Sequence, residues 1–219
     1  DDGINPGKIF FVGNVMIDSL QKTRQSWELS KVRDRLGLKS KEYGVVTLHR
    51  PSNVDNADTF SEMMHAISEV AKQIPLVFPV HPRTQKQLEN LNGSVPWIQL
   101  RSEPIKARGI YGMEPLGYYD FMALVSGARL VLTDSGGIQE ETTFLNVPCL
   151  TLRDNTERPV TVSHGTNRVI GTSPTTIVKE AMQVLESPPP ALPAPPLWDG
   201  MAADRIVSIL RKQISRSES

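Results

Sequence analysis

The stretch Val131–Thr142, VLTDSGGIQEET, runs an apolar segment directly into Asp134-Ser135-Gly136-Gly137 and on to two adjacent acids, Glu140 and Glu141. An apolar run that breaks at a glycine pair and resumes with helix-forming residues reads as strand, tight turn and helix. The missing side chains let a ligand approach the backbone, and N–H groups at the start of the helix point outward, so the turn suits an anion. No Gly-Lys-Ser/Thr follows, and the pattern is not Gly-x-Gly-x-x-Gly, which favours a mononucleotide diphosphate over ATP or NAD. The acids have two readings. In the first helical turns they complement the macrodipole, or one of them accepts hydrogen bonds from the two hydroxyls of a ribose.

The same alternation extends in both directions. Extended segments are expected at Lys8–Val12 (KIFFV), Tyr43–Leu48, Pro75–Val80, Trp97–Leu100, Ala128–Thr133, Val147–Leu152 and Asn167–Gly171. Several are continuously apolar, as in strands covered on both faces. Phe60, Met63, Met64, Ile67, Val70, Ala71 and Ile74 recur at three- and four-residue steps and predict an amphipathic helix with one core face. Further helices are expected over Ser26–Leu36, Thr84–Leu91, Tyr118–Ser126, Gly136–Leu145, Thr175–Leu185 and Ala202–Ile214. Strand and helix in alternation imply an α/β fold with a mostly parallel sheet and right-handed crossovers. Arg101–Glu114 shows no period and is expected to be an extended loop. Ser187–Pro196, SPPPALPAPP, reads as an extended connector, which would leave the last helix apart from the sheet and able to dock on another body.

Composition narrows the function. Of 219 residues, 24 are Lys or Arg and 24 are Asp or Glu, so no long-range field draws the chain to nucleic acid or an anionic membrane. No apolar run approaches the roughly 20 residues that span a bilayer. A single cysteine, Cys149, excludes an internal disulfide framework and reads as a small buried hydrophobe. His49, His65, His81 and His164 have no tight ligand spacing, so no metal is expected. The opening DDGINPG is neither a signal peptide nor a natural start. A cytoplasmic protein that begins within a longer chain is expected.

Ligands of open parallel sheets bind beyond the carboxyl ends of the strands. Here one strand ends at His49 and Arg50, a second at His81, Pro82 and Arg83, and a third at Asp134 to Gly137, so two imidazoles, two guanidinium groups and the glycine pair share an edge. Downstream, Arg158 precedes Pro159 in LRDNTERP. It could pair with a phosphate in bidentate fashion, or belong to a surface loop of compensating charges.

TLHRPSNVDN, VHPRT, the run from Glu114 to Val162 containing TDSGGIQEE and TERP, and GTNRVIG together resemble the non-hydrolysing UDP-N-acetylglucosamine 2-epimerases. The resemblance extends from about Lys8 to about Leu210 and corresponds to the family's C-terminal domain. It implies a Rossmann-like domain over residues 1–219, with a Pro-rich connector and helix at 187–219, forming the C-terminal half of a GT-B-like architecture whose N-terminal half is absent. In such enzymes UDP is eliminated to leave a 2-acetamidoglucal and is then re-added to the opposite face. His49 matches the active-site histidine. Ser135, Gly136 and Gly137 match the diphosphate loop, Glu141 the acid on the ribose hydroxyls, Phe121 the aromatic beside uracil, and Arg158 a UDP-contacting arginine. Arg50 and His81 match positions linked to a regulatory UDP-sugar, although PSNVDN after Arg50 departs from many bacterial members. Leu116 stands where some members have a glutamine near the base. The resemblance implies no cofactor beyond UDP or UDP-sugar as ligand, a homodimeric parent enzyme, and acid/base carboxylates carried by the other half, so this piece alone would be inactive. Two further readings share the nucleotide site: half of a GT-B glycosyltransferase, and a non-catalytic UDP-binding module.

Overall fold

The computed structural model describes residues 3–91, 93–101 and 104–217. Seven strands, β1 (Gly44–Thr47), β2 (Leu76–Pro79), β3 (Trp97–Gln99), β4 (Ile110–Met113), β5 (Leu130–Thr133), β6 (Cys149–Thr151) and β7 (Asn167–Val169), form one sheet in the order β3-β4-β2-β1-β5-β6-β7. Every pairing is parallel. The helices are α1 (Val15–Lys22), α2 (Arg24–Glu28), α3 (Val32–Leu36), α4 (Pro51–Val54), α5 (Ala57–Ala71), α6 (Pro82–Asn90), α7 (Tyr118–Ser126), α8 (Gly136–Phe144), α9 (Pro159–Ser163), α10 (Pro174–Glu186) and α11 (Ala202–Ser217). This is the α/β, Rossmann-like arrangement expected from the alternation.

Two cores follow from the two-residue period of the strands. Val45, Val77 and Val131 face one side and pack with Ile17, Leu20, Trp27, Met122 and Ile138 of α1, α2, α7 and α8. Their neighbours Val46, Phe78 and Leu132 face the other, against Phe60, Met64 and Ile67 of α5, Leu88 of α6 and Ile177 of α10. Helix α5 buries six residues of the predicted stripe together with Ala66, and the Asn56 side chain caps it by accepting the Thr59 N–H at 2.9 Å. Each fully buried large apolar side chain contributes about 1.5–3 kcal/mol. Cys149 belongs to this interior: its thiol is free, fully buried, and pushed up to about 11 by burial.

The structure corrects four expectations. Lys8–Val12 is not a strand: Ile9, Phe10 and Phe11 are 63%, 45% and 69% exposed. Pro6–Lys8 forms a 3-10 turn capped by the Ile9 N–H, and Arg205 takes the Val12 carbonyl, so this backbone is engaged away from the sheet. The helix expected over Ser26–Leu36 is broken into α2 and α3. Ser30 interrupts it, donating to Asp120 Oδ1 at 2.6 Å and accepting the Val32 N–H at 3.2 Å, a local alternative to helical bonding that serine offers readily. The supposed loop Arg101–Glu114 contains β4, inserted between β2 and β3; Ser102 and Glu103 of that stretch lie outside the described residues. Gly112 makes the insertion possible, because a Cβ there would come 2.7 Å from the Trp97 ring. Finally, α11 is not wholly apart. Asp18 of α1 accepts the N–H groups of Ala202 at 3.1 Å and Ala203 at 2.7 Å, and Ala202 is buried, while Val207, Leu210 and Ile214 stay exposed. Among the described residues, no helix is long and apolar enough to cross a membrane.

Candidate functional site

From β1 the sheet extends one way through β2, β4 and β3, which the next three strands of the chain supply, whereas from β5 it extends the other way through β6 and β7. The loops leaving the carboxyl ends of β1 and β5 therefore diverge, and a crevice opens between them, the place where open α/β sheets bind ligands. Thr47 and Thr133 lie opposite each other in register at the strand ends, their hydroxyls 2.6 Å apart. Just beyond is a cleft of about 250 Å³ lined by Thr47, Leu48, His49, Pro79, His81, Pro115, Leu116, Phe121, Ser135 and Ile138.

Asp134 joins the two sides of the crevice. Its fully buried carboxylate accepts the backbone N–H of His49 at 3.0 and 3.1 Å and that of Arg50 at 2.9 Å, together with the Asn53 amide at 3.3 Å. His49 Nδ1 lies 2.9 Å from Asp134 Oδ1. A buried carboxylate is costly unless it is well supplied with donors, and these supply it. Asn53 also donates to the Leu152 carbonyl at 2.9 Å, so α4 is tied to β6 as well. His81 caps α6, its Nδ1 accepting the Arg83 N–H at 3.2 Å, and its ring centroid is 5.7 Å from that of His49.

Helix α8 begins at Gly136 and carries no side-chain cap. The Ser135 N–H is already engaged by Thr133 Oγ1 at 3.0 Å, so the donors toward the cleft come from the helix start beyond it rather than from all three loop residues. A Cβ on Gly136 would meet only Glu157 Oε2 at 3.8 Å and Arg50 Nη2 at 4.0 Å. Glu157 holds Arg153 through two contacts of 2.8 Å and stands 3.6 Å from Arg50. Hydrogen bonding from Arg153, with the nearby Arg50 charge adding to it, brings the Glu157 carboxyl down to about 2.

Glu140 and Glu141 fall in the second turn of α8, not the first, so the macrodipole does not account for them. Both are buried, and they diverge. Glu141 accepts the Tyr118 hydroxyl at 3.1 Å, and burial pushes its carboxyl up to about 7. Glu140 Oε1 accepts the Asn14 amide at 2.9 Å and lies 3.2 Å from Arg158 Nε, while burial raises this carboxyl above its ordinary range. Glu140 Oε2 is buried without a partner.

The structure thus gathers His49, His81, Phe121 and Ser135 around one cleft, with Arg50 beside Gly136 next to it, whereas Gly137 faces Met16 of α1. Glu141 sits one turn further along α8, and Arg158, at the start of α9, reaches back to Glu140 rather than lining the cleft. Asp134, Tyr118, Asn14 and Glu157 were not singled out from the sequence. Only Asp134, which directly precedes Ser-Gly-Gly, carried a signal. Among the described residues no group of three or more His, Cys, Asp or Glu side chains is placed to hold a metal ion.

The sequence matches the family model for UDP-N-acetylglucosamine 2-epimerase over residues 1–211. The chain belongs to the UDP-N-acetylglucosamine 2-epimerase family. It is 37% identical over 214 residues to the UDP-N-acetylglucosamine 2-epimerase of Methanocaldococcus jannaschii, covering 95% of this chain and 56% of that protein. It is 33% identical over 226 residues to the Escherichia coli (strain K12) UDP-N-acetylglucosamine 2-epimerase, covering 96% and 56%. The crystal structure of the M. jannaschii UDP-GlcNAc 2-epimerase in complex with UDP-GlcNAc and UDP superposes with a TM-score of 0.81 at 36% identity, over 96% of this chain and 57% of that one. The chain therefore spans about half the length of the epimerases it matches, and its seven-stranded parallel sheet is that of a GT-B-like epimerase.

Proposed function

We propose that this chain is the UDP-binding half of an epimerase that interconverts UDP-GlcNAc and UDP-ManNAc. The observation that carries the reading is the glycine-opened start of α8 at the switch point, beside His49 and Phe121 in one cleft. The diphosphate lies against the N–H groups at Gly136 and Gly137, where the helix dipole favours negative charge. Phe121 packs on the uracil, Glu141 takes the ribose hydroxyls, and Arg158 turns its free guanidinium nitrogens to phosphate oxygens. Arg50 and His81 border the same opening and are the candidates for a second, regulatory UDP-sugar.

In the reaction the C2 proton is removed and the C1–O bond breaks, its electron pair leaving with UDP while C1 and C2 form the double bond of the glucal. Re-addition of UDP forms C1–O again and returns a proton to the opposite face of C2. This chain's part is to bind and orient UDP and to stabilise the charge that grows on the leaving diphosphate. The acid/base carboxylates belong to the remainder of the enzyme. No cofactor enters the reaction. The parent enzyme is a homodimer that acts in the cytoplasm and supplies cell-surface polysaccharide synthesis.

Calorimetry with UDP, uridine and ADP tests the reading on the chain as it stands. UDP binds, uridine binds more weakly for want of phosphates, and ADP does not bind detectably. Absence of any heat with UDP overturns it.

A further inference from the structure

We infer that Gln139 of α8 is a positioning residue: through Thr156 and Asn167 it ties the backbone of Arg158 to the glycine turn, and so sets where the arginine stands relative to the start of the helix. The tie is a property of the free protein; its use in holding a diphosphate rests on the reading above.

Gln139 is completely buried and Asn167 is 3% exposed, yet both are amides. Buried amides are tolerated where their polar atoms find partners, and here the partners form one connected set. Gln139 Nε2 donates to the Ser135 carbonyl at 3.2 Å, at the turn. Gln139 Oε1 accepts the Thr156 hydroxyl at 2.5 Å and the Asn167 amide at 3.1 Å. Thr156 Oγ1 in turn accepts the Arg158 N–H at 2.9 Å. Asn167 also donates to Thr161 Oγ1 at 3.0 Å, and that hydroxyl donates to the Arg158 carbonyl at 2.7 Å. Thr151 completes the set by donating to Asn167 Oδ1 at 2.6 Å.

The roles in this set are not interchangeable. A carbonyl only accepts, so Thr161 gives its proton to Arg158 and receives one from Asn167. A peptide N–H only donates, so Thr156 accepts from Arg158 and gives its own proton to Gln139. The N–H and the carbonyl of Arg158 thus lead by two routes to one amide oxygen, whose own nitrogen grips the turn. Arg158 follows an irregular loop and heads a helix of only five residues, so local structure alone does not hold it. With the tie in place the guanidinium meets a phosphate without the loop first having to be ordered.

Calorimetry of the 219-residue chain with UDP and uridine tests the link. Gln139→Met removes the tie at its centre with little change of shape. Thr156→Val removes it at one end, where the site is only partly buried and Gln139 keeps Asn167. Each should weaken UDP about three- to tenfold, the cost of ordering a freed arginine on binding, and leave uridine unchanged. The double variant should lose no more than Gln139→Met alone, since both break one chain of bonds. Thr156→Ser, which keeps the hydroxyl, should bind UDP as the parent does. In the Arg158→Ala background neither Gln139→Met nor Thr156→Val should change UDP binding further. Losses that persist there, or that fall equally on uridine, overturn the inference and leave the functional reading standing. If Gln139→Met does not fold, Thr156→Val set against Thr156→Ser and Arg158→Ala decides.

Hydrogen exchange at the Arg158 N–H separates the tie from its use. That proton should be protected in the parent chain and exchange about tenfold faster or more in Gln139→Met and Thr156→Val. Equal exchange in parent and variants overturns the inference. A chain with the protected N–H that gives no heat with UDP upholds the tie and removes the functional reading.

Discussion

Tyr118 of α7 donates its hydroxyl to Glu141 of α8 across 3.1 Å, joining two helices that each give a side chain, Phe121 and Ile138, to the cleft. The carboxylate it meets is buried and raised from an ordinary 4.5 to about 7, burial being the larger cause and Glu140 adding to it against the Tyr118 hydrogen bond. Between those two pH values the folded chain holds a proton that the unfolded chain has released. Stability from this group therefore falls as pH rises from about 4.5 through 7. On the proposed function ribose hydroxyls donate to the ionised form, so nucleoside binding moves in the opposite direction. Uridine affinity should rise about tenfold between about pH 6 and pH 8, as the ionised fraction grows. Uridine is the right probe because a phosphate group titrates near pH 6 itself. The profile should be flat in Glu141→Gln; a steep profile there would assign the titration to another group.

Arg158 is held by one nitrogen. Nε faces Glu140 at 3.2 Å, which leaves the terminal pair to grip a phosphate as a fork. Arg158→Ala should weaken UDP binding by about ten- to a hundredfold, the range of one charge-assisted contact of about 1.5–3 kcal/mol, and leave uridine unchanged. Arg158→Lys should recover only part of the loss, since a lysine keeps the charge but not the planar fork. Equal losses for UDP and uridine on calorimetry would move Arg158 away from the phosphates.

Much of this frame was open to reading from the sequence, and the exceptions have physical causes. The strands after Tyr43 and the stripe on α5 announce themselves because burial on two faces, or on one helical face, dictates an apolar period. The run KIFFV has the same composition as a strand, yet its start is taken up by a local proline-led turn and its end by Arg205, a partner that only tertiary structure supplies. Strand β4 was hidden because it is only four residues long and Gly112 interrupts its apolar run, Gly112 being present to admit the Trp97 ring. His49, Arg50 and the glycine pair were legible as strand ends on one edge. The pairing of Glu140 with Asn14 was not, because 126 residues separate them and neither belongs to a spaced motif.

Glu157 holds a place that a phosphate would contest. Its Oε2 comes within 3.8 Å of where a Gly136 methyl would be, and its charge is shared between Arg153 and Arg50. Glu157→Gln removes the negative charge near the helix start and frees Arg50 to attract a ligand, while the amide oxygen keeps one bond to Arg153. UDP should bind about three- to tenfold more tightly to the variant at low salt, with the advantage shrinking as salt screens exposed charges. Weaker binding measured across a salt series would instead mean that Glu157 serves to hold Arg153 in position for the ligand.

The two glycines of the turn face different surroundings, which separates folding from binding. A methyl on Gly136 meets nothing nearer than 3.8 Å and projects beside Arg50, at the opening of the cleft. A methyl on Gly137 meets the end of the Met16 side chain at 3.1 Å, on the α1 side. Neither glycine has a positive φ, so alanine brings no backbone strain at either position. Gly136→Ala should unfold within about 0.5 kcal/mol of the parent chain, because the site is open and helical. On the proposed function its methyl nevertheless stands where the diphosphate approaches the backbone, and UDP affinity should fall by about tenfold or more, the loss of at least one close charge-assisted contact. Gly137→Ala asks only a flexible methionine tip to shift, so it should weaken UDP less than Gly136→Ala does. Denaturation and calorimetry on the two variants would reveal the ordering. If Gly137→Ala proved the more harmful to binding, the ligand would have to enter from the α1 side of the turn, and the diphosphate would not rest where Gly136 opens the helix.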